Sequence, residues 1–172
     1  MASPFIYFDT ETSGLNPYRH FVWEVAYAIG DGPILASTVP HELLEDNFDE
    51  RAFEINGYRN RVAKPNIHQQ VFEQVFHDSL IGKTIVVANP SFETGFFRAR
   101  WQEIPWKYRT IDIENYAMPA LGWREPKGLA SIADALGVEA PDHTATQDVN
   151  VMRQCHYKLI EIYKQHFGIQ ED

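Results

Sequence analysis

The segment FIYFDTETSGL, residues 5–15, joins an apolar stretch to two acidic residues. Residues 5–10 are apolar up to Asp9, which predicts a buried β-strand. Because side chains alternate along a strand, Asp9 and Glu11 point to one side and Thr10 points to the other. Two like charges at the end of a buried strand are unfavourable unless cations neutralise them, so this pair is half of a possible metal site. The alternative is that the strand has ended and both acids are solvated, which the short motif alone favours.

The hydrophobic pattern of the remaining chain predicts an α/β domain. Short turns separate the predicted strands 5–10, 22–29 and 34–39, which should therefore form an antiparallel meander. Strands and helices then alternate, which predicts a mixed sheet of three antiparallel strands followed by parallel strands, flanked by helices. The later predicted elements are helices 49–55 and 67–80, strand 84–88, a helix through Phe96 and Trp101 capped by Ser91, strand 110–113, and helices 128–136 and 145–167. Residues Ile67, Val71, Phe72, Val75 and Phe76 are predicted to share the buried face of helix 67–80.

Length and composition limit the class of protein. A chain of 172 residues with 44% hydrophobic residues suits one well-buried core, so we expect a single domain over residues 1–172 with a frayed tail at 168–172. No apolar run reaches the length of a membrane span and no secretory signal is evident, so we expect a cytoplasmic protein without membrane contact. The single cysteine, Cys155, is expected to pack in a helix. The net charge of −9 argues against a protein that passively coats nucleic acid.

Two further segments place charged residues where functional groups often collect. Glu93 follows the predicted strand 84–88 and its Asn89 turn, at the carboxyl end of the sheet, where α/β folds bind ligands. His143 and Asp148 lie at the positive end of the last predicted helix. Each residue taken singly has an ordinary explanation, because carboxylates favour the first turn of a helix and a histidine before a helix is usually a cap or a surface residue.

The three segments together, in this chain order, resemble the motifs of the DEDDh, or DnaQ-like, 3′-to-5′ exonucleases, which have a ribonuclease H-like fold. The resemblance extends from Phe5 to about Leu159 and implies an exonuclease domain. It rests on FDTETSGL at 8–15, ANPSFETGFF at 88–97 and HTATQD at 143–148, with support from VWEVA at 22–26 and INGY at 55–58.

The resemblance implies roles for five residues. Asp9, Glu11 and Asp148 would ligate two divalent cations, Glu93 would complete the acidic quartet, and His143 would be the general base. Hard carboxylate ligands suit Mg²⁺ or Mn²⁺, and two such ions clamp an in-line displacement at phosphorus. The implied reaction is hydrolysis of phosphodiester bonds at the 3′ end of DNA or RNA.

The second motif departs from the family pattern, which has a histidine before the asparagine and an aspartate after the aromatic residue. Ala88 and Glu93 occupy these places. Glu93 keeps the charge and adds one methylene, which leaves three possibilities: direct metal contact through a different rotamer, contact through a water, or no contact.

Substrate contacts are also implied by the resemblance. Thr12 and Leu15 would lie against the terminal nucleotide, with Leu15 between the last bases. Thr10, Gly14 and Asn89 would complete this region, and Gly14 lets the backbone turn. For two aromatic residues, Tyr58 and Phe97, a stacking face for bases and core packing are both open. Two further acids at positions where relatives often have acids, Glu24 and Asp112, are predicted to bind backbone or an arginine.

The expected partner is nucleic acid with a free 3′ end, most readily single-stranded, with a polymerase or a second copy of the chain as further candidates. One alternative is a binding module of the same fold that has lost catalysis and holds a nucleic-acid end or a protein. The acidic residues retained at Asp9, Glu11 and Asp148 count against it, because a buried acidic cluster without metal is destabilising. Another alternative is a phosphodiesterase of very short oligonucleotides.

Overall fold

Five strands form one mixed sheet. The computed structural model describes residues 5–39, 41–61 and 69–168. The sheet has the order β3-β2-β1-β4-β5, in which β2 is antiparallel to β1 and β3, whereas β4 is parallel to β1 and β5. The predicted mixed sheet is therefore confirmed. The strands are β1 (Phe5–Thr12), β2 (Val22–Ile29), β3 (Leu35–Thr38), β4 (Thr84–Val87) and β5 (Thr110–Asp112).

Seven helices are seen in the described residues. Five correspond to predicted helices, whereas α2 and α5 were not predicted. The helix α5 has only eight residues and includes Pro119, and its first residue continues the apolar pattern of β5. The helices are α1 (Glu50–Asn56), α2 (Tyr58–Arg61), α3 (Gln69–Leu80), α4 (Pro90–Trp101), α5 (Ile113–Ala120), α6 (Leu129–Leu136) and α7 (Ala145–Phe167).

The alternating side chains of β1 divide the core into two layers. Tyr7 packs with Met152 and Leu159 of α7 on one face of the sheet, and Phe8 packs with Phe76 and Phe97 on the other. The helix α7 crosses both β1 and β2. His156 in the middle of α7 contacts Tyr7, so the start of α7 lies beside the carboxyl end of β1. This arrangement brings the last residues of β1 and the first residues of α7 together.

The buried face of α3 differs from the prediction. Phe76 and Leu80 are fully buried and Phe72 is partly buried against the same core. Val71 and Val75 are 63% and 47% exposed, so the prediction was wrong for these two valines. The aromatic side chains fill the space between α3 and the sheet, which leaves the valines on the outer side. Ile67 lies outside the described residues.

The helix α4 begins earlier than its predicted cap. Asn89 is the N-cap residue, with φ of 49°, and its side chain accepts a hydrogen bond from Phe92 N. Asparagine tolerates this left-handed conformation, and Pro90 suits the first helical position. The predicted cap Ser91 already lies inside the first turn, so that prediction was wrong.

Three smaller expectations concern Cys155, the tail and the membrane. Cys155 is a fully buried free thiol, as predicted, and burial raises its pKa to about 11. Gly168 ends α7 in the left-handed conformation, and the rest of the predicted tail, 169–172, lies outside the described residues. Among the described helices, none is both long enough and apolar enough to cross a membrane.

Candidate active site

Three carboxylates meet where β1 ends and α7 begins. One oxygen each of Asp9, Glu11 and Asp148 lies within 4.8 Å of the others. Asp9 and Glu11 share a face of β1, and Asp148 lies in the first turn of α7. The structure therefore brings together the three acidic residues that the motifs predict as metal ligands. We call this group the carboxylate cluster.

Burial and mutual repulsion act on the carboxylate cluster. Burial, followed by the charges of Glu93 and Glu11, raises the pKa of Asp9 well above its ordinary value. Burial also raises the pKa of Glu11 to about 9, and the negative charges of Asp148 and Glu24 add to this effect. Such a group of oxygen donors with excess negative charge fits a hard divalent cation, which would stabilise the ionised form of every member.

Glu93 lies beside the carboxylate cluster and is anchored separately. Glu93 is 3% exposed, and its carboxylate accepts a hydrogen bond of 2.9 Å from Thr10 Oγ1. Burial raises the pKa of Glu93 to about 8, and the hydrogen bonds from Thr10 oppose this shift. Glu93 is not one of the three residues whose oxygens lie within 4.8 Å of one another, although its charge acts on Asp9. Its longer side chain is thus held by Thr10 at the edge of the site.

His143 lies at the mouth of the same site on an unusual backbone. Its side chain is exposed and its φ is 59°, in the left-handed region. On one side of it, Asp142 N donates to Asp148 Oδ1 at 3.2 Å. On the other side, Thr144 Oγ1 accepts from Gln147 N and caps α7. Burial raises the pKa of Asp148, and the positive charge that His143 can carry opposes this shift.

Glu24 and Asp112 both have structural partners, which confirms their predicted roles. Both oxygens of the Glu24 carboxylate accept from Nη2 of Arg61, and one of them also accepts from Ala145 N at 3.1 Å. Asp112 caps α5 by accepting from two backbone N–H groups in its first turn.

A cleft of about 400 Å³ opens over these residues. It contains the whole carboxylate cluster, Glu93 and His143. Two apolar side chains that line it are largely exposed, since Leu15 is 79% exposed and Ile55 is 52% exposed. The other residues that line the cleft are Thr10, Thr12, Gly14, Ala52, Asn56, Ala88, Asn89 and Phe92.

Most of the predicted substrate contacts line this cleft, but the two aromatic candidates do not. Phe97 is 1% exposed and packs in the core, and Tyr58 is 6% exposed and stacks on Phe53 with 3.9 Å between ring centroids. Core packing, the alternative for both, is what the structure shows. The aromatic residue that does line the cleft is Phe92. Its position directly before Glu93 was the only sequence signal for it.

Gly14 has a packing requirement at the rim of the cleft. Its φ is 158°, and a Cβ atom at this position would lie 2.2 Å from Nδ1 of His20. The same nitrogen accepts a hydrogen bond from Asn16 N. Glycine therefore lets His20 close the turn that presents Leu15.

Comparison with solved structures concerns the fold of this chain. The chain has a ribonuclease H-like α/β fold, as the resemblance implied. No protein-family model matches the sequence, and comparison with curated proteins gave no match.

The similar structures include exonucleases. A zinc-bound complex of Escherichia coli exonuclease I with single-stranded DNA has a TM-score of 0.71 and 19% identity, covering 98% of this chain and 43% of that chain. The same enzyme with a dT13 oligonucleotide has a TM-score of 0.70 and 20% identity, covering 95% and 42%. Brucella melitensis NrnC with bound Mg²⁺ has a TM-score of 0.60 and 15% identity, covering 97% and 77%. This chain thus spans less than half the length of exonuclease I.

Proposed function

We propose that this chain is a metal-dependent 3′-to-5′ exonuclease that hydrolyses the terminal phosphodiester bond of a nucleic acid. The observation that carries the proposal is the shared cleft. The carboxylate cluster, Glu93 and His143 all line it, in the chain positions where the exonuclease motifs would have their functional residues. Solved structures of the same fold, recorded with bound zinc or Mg²⁺, support a cation in this cleft.

The carboxylate cluster would hold the cations, Mg²⁺ or Mn²⁺. Asp9, Glu11 and Asp148 supply oxygen ligands from two elements of the core, so their relative positions are fixed by packing. Glu93, held by Thr10, is the fourth candidate ligand and stands close enough to act on the charge of Asp9. When two divalent cations are bound between carboxylates and substrate, they activate a water and stabilise the leaving oxygen.

His143 is the proposed general base. Its side chain lines the cleft and is exposed, so the imidazole can accept the proton of the attacking water and release it to solvent. The backbone on both sides of His143 is hydrogen-bonded to neighbouring elements, which keeps the ring at the mouth of the cleft.

The terminal nucleotide is proposed to lie between apolar and polar walls of the cleft. Leu15 and Ile55 expose apolar surface beside the carboxylates, and Phe92 offers an aromatic edge. Exposed apolar side chains in a polar cleft suit the faces of unpaired bases. Exonuclease I structures with single-stranded oligonucleotides support a single strand as substrate. On the resemblance alone, a polymerase or a second copy of this chain is a further candidate partner.

The test is digestion of single-stranded DNA and RNA of one sequence, each labelled at the 5′ end, with Mg²⁺, Mn²⁺ or EDTA. We expect a ladder that shortens from the 3′ end with metal and no digestion in EDTA. A 3′-phosphorylated strand is the control for end dependence. Cleavage inside the strand would contradict the exonuclease proposal, and no cleavage with any metal would favour the binding module. Cleavage confined to two- and three-residue substrates would favour the phosphodiesterase of very short oligonucleotides.

The variant His143→Ala tests the general base in the same assay. We expect kcat to fall about 10² to 10⁴-fold, as for loss of a general base, with unchanged thermal stability because the ring is exposed. His166→Ala is the matched control, since His166 is an exposed histidine near the far end of α7. Equal activity of wild type and His143→Ala would remove His143 from the mechanism.

A further inference from the structure

We propose that Arg61 is a positioning residue that, together with Glu24, holds the backbone of His143 at the mouth of the cleft. The inference rests on the proposed function, because His143 is the proposed base. It concerns two residues that do not line the cleft, and the resemblance gives neither of them a part in placing His143.

The Arg61 side chain joins three parts of the fold. Its Nη2 donates to both carboxylate oxygens of Glu24 in β2. Its Nη1 also donates to Asn56 O of α1 at 2.8 Å and to His143 O at 3.2 Å. Asn56 in turn donates to Thr12 O at the end of β1, at 2.9 Å. Arg61 therefore connects the carbonyl of His143 to β2 through Glu24, and the Asn56 side chain extends the connection to β1.

Glu24 holds the other side of His143. While it pairs with Arg61, its carboxylate also accepts a hydrogen bond from Ala145 N, two residues after His143. Glu24 lies directly opposite Glu11 in the register of β1 and β2. Both backbone contacts thus tie the residues around His143 to the strand that neighbours the carboxylate cluster.

His143 depends on backbone contacts, which include the hydrogen bond from Asp142 N to Asp148 Oδ1 and the Thr144 cap of α7, because its side chain does not fix it. Its φ of 59° is disfavoured for a residue with a side chain, and the exposed imidazole has no core packing to fix it. Strained backbone persists only where surrounding contacts determine it. The Arg61 contact to His143 O and the Glu24 contact to Ala145 N add two such contacts.

The surroundings of the Arg61–Glu24 ion pair restrict its movement. The Arg61 and Glu24 side chains are 25% and 13% exposed. The guanidinium also lies over the ring of Trp23, 5.0 Å from its centroid, and Trp23 is fully buried. A planar guanidinium can stack and donate several hydrogen bonds at once, which an ammonium group cannot reproduce. Arg61→Lys should therefore retain only part of the function.

A competing explanation is that Arg61 acts on the metal site through charge. Glu24 raises the pKa of Glu11 after burial and Asp148, and Arg61 opposes that shift. If this were the main role, loss of Arg61 would weaken cation binding. The positioning role instead leaves cation binding unchanged and lowers the catalytic rate.

The test compares Arg61→Gln with Arg100→Gln. Arg100 is a matched control because its guanidinium also pairs with both oxygens of a glutamate, Glu73, which is 13% exposed, and lies 6.0 Å from the ring centroid of Trp101. It does not line the cleft. For Arg61→Gln we expect kcat to fall roughly 10²-fold, as for a misplaced catalytic group, with KM and Mn²⁺ affinity close to wild type. Arg100→Gln should keep the wild-type kcat.

The same substitution made in the His143→Ala variant distinguishes the positioning of His143 from general damage to the fold. In His143→Ala, the further change Arg61→Gln should lower kcat little, because the residue that it positions is already gone. An equal fall in both backgrounds, or a loss of Mn²⁺ affinity in Arg61→Gln, would overturn the proposal.

Hydrogen exchange makes the test independent of activity. Peptides that cover residues 139–147 should exchange faster in Arg61→Gln than in wild type or Arg100→Gln, because the N–H of Ala145 loses its ordered acceptor. Unchanged exchange in this segment would refute the positioning role. If the wild type shows no nuclease activity, the proposed function fails by itself, and the exchange result alone decides whether Arg61 holds this backbone.

Discussion

The strand β1 and the helix α7 meet at two polar places, and these two places differ in how their charges are satisfied. In the middle of the strand, Tyr7 Oη and His156 Nδ1 form a buried hydrogen bond of 2.8 Å. At the end of the strand, Asp9 and Glu11 meet Asp148. Tyr7, Asp9 and Glu11 lie on the same face of β1, so both places are built by the same pair of elements.

The difference separates a structural polar contact from a binding site. Burial lowers the pKa of His156 to about 4, and burial followed by Tyr157 raises the pKa of Tyr7, so both groups are neutral at pH 7 and satisfy each other. The carboxylate cluster consists of like charges whose pKa values burial raises. Paired neutral groups stabilise a core without any ligand, whereas clustered carboxylates are stabilised by a cation.

The largest expected effect comes from removing one charge of the carboxylate cluster. Asp148→Asn keeps the shape and the acceptor for Asp142 N, but it removes a proposed metal ligand. We expect nuclease activity below detection and a smaller rise of Tm on adding Mn²⁺. The metal-free variant should be more stable than wild type, because a neutral amide replaces a carboxyl group whose charged form burial disfavours. Wild-type activity in this variant would refute the metal site.

The next effect concerns Glu93, at the edge of the cluster. Glu93→Ala should lower activity severely, because it removes a carboxylate that is held close to Asp9 and leaves the Thr10 hydroxyl without this acceptor. Glu93→Asp should retain most of the activity, since it restores the charge. Activity assays of the two variants, run side by side, show whether the carboxylate itself is required. If Glu93→Ala and wild type were equally active, Glu93 would not belong to the site.

A smaller effect, on stability alone, is expected at the other polar place. Tyr7→Phe removes the partner of the buried His156 Nδ1. Leaving a buried polar group unpaired costs about 1 to 3 kcal/mol, which urea denaturation would measure. Because this hydrogen bond needs no ligand, kcat of the folded variant should equal that of wild type. A large fall in kcat with unchanged stability would mean that the Tyr7–His156 hydrogen bond serves catalysis and not stability, which would contradict the comparison between the two places.

A further difference between the two places lies in their pH dependence. Glu11 has a folded pKa of about 9 against an ordinary value of 4.5, so the metal-free native state binds more protons and loses stability as pH rises through this range. His156 has a folded pKa of about 4 against 6.5, so its contribution is lost as pH falls from 6.5 to 4. Between pH 6.5 and 9 His156 is neutral in both the folded and the unfolded state, so of the two places only the carboxylate cluster changes its protonation. The Tm of metal-free protein should therefore fall between pH 6.5 and 9, and saturating Mg²⁺ should reduce the fall. A rising Tm over this interval without metal would contradict the assignment.

The elements with strong local signals were predicted well. The strand β2 (Val22–Ile29) and the helix α7 (Ala145–Phe167) have the predicted bounds, because a continuous apolar run and a capped periodic segment are properties of neighbouring residues. The exposed Val71 and Val75 show the limit of such patterns, because α3 packs in the core through its aromatic side chains and not through these valines.

The candidate site likewise has features that could be predicted from the sequence and features that could not. The resemblance to the exonuclease motifs implied that Asp9, Glu11 and Asp148 would meet, and their oxygens do lie within 4.8 Å of one another. The ties from Arg61 to Glu24 and to His143 join residues 37 and 82 positions apart. No local pattern encodes such contacts, because they depend on where α2 and α7 pack. The positions of Ile55 and Phe92 in the cleft also depend on how distant elements pack together.

The most direct test of the account is a crystal structure of the protein with Mn²⁺ and a nucleoside 5′-monophosphate, with anomalous scattering to locate the metal. We expect Mn²⁺ at about 2.1 Å from oxygens of Asp9, Glu11 and Asp148, the phosphate of the nucleotide beside the metal, and the base against Leu15. Mn²⁺ bound only elsewhere, with the carboxylate cluster free of metal at saturating concentration, would contradict the account.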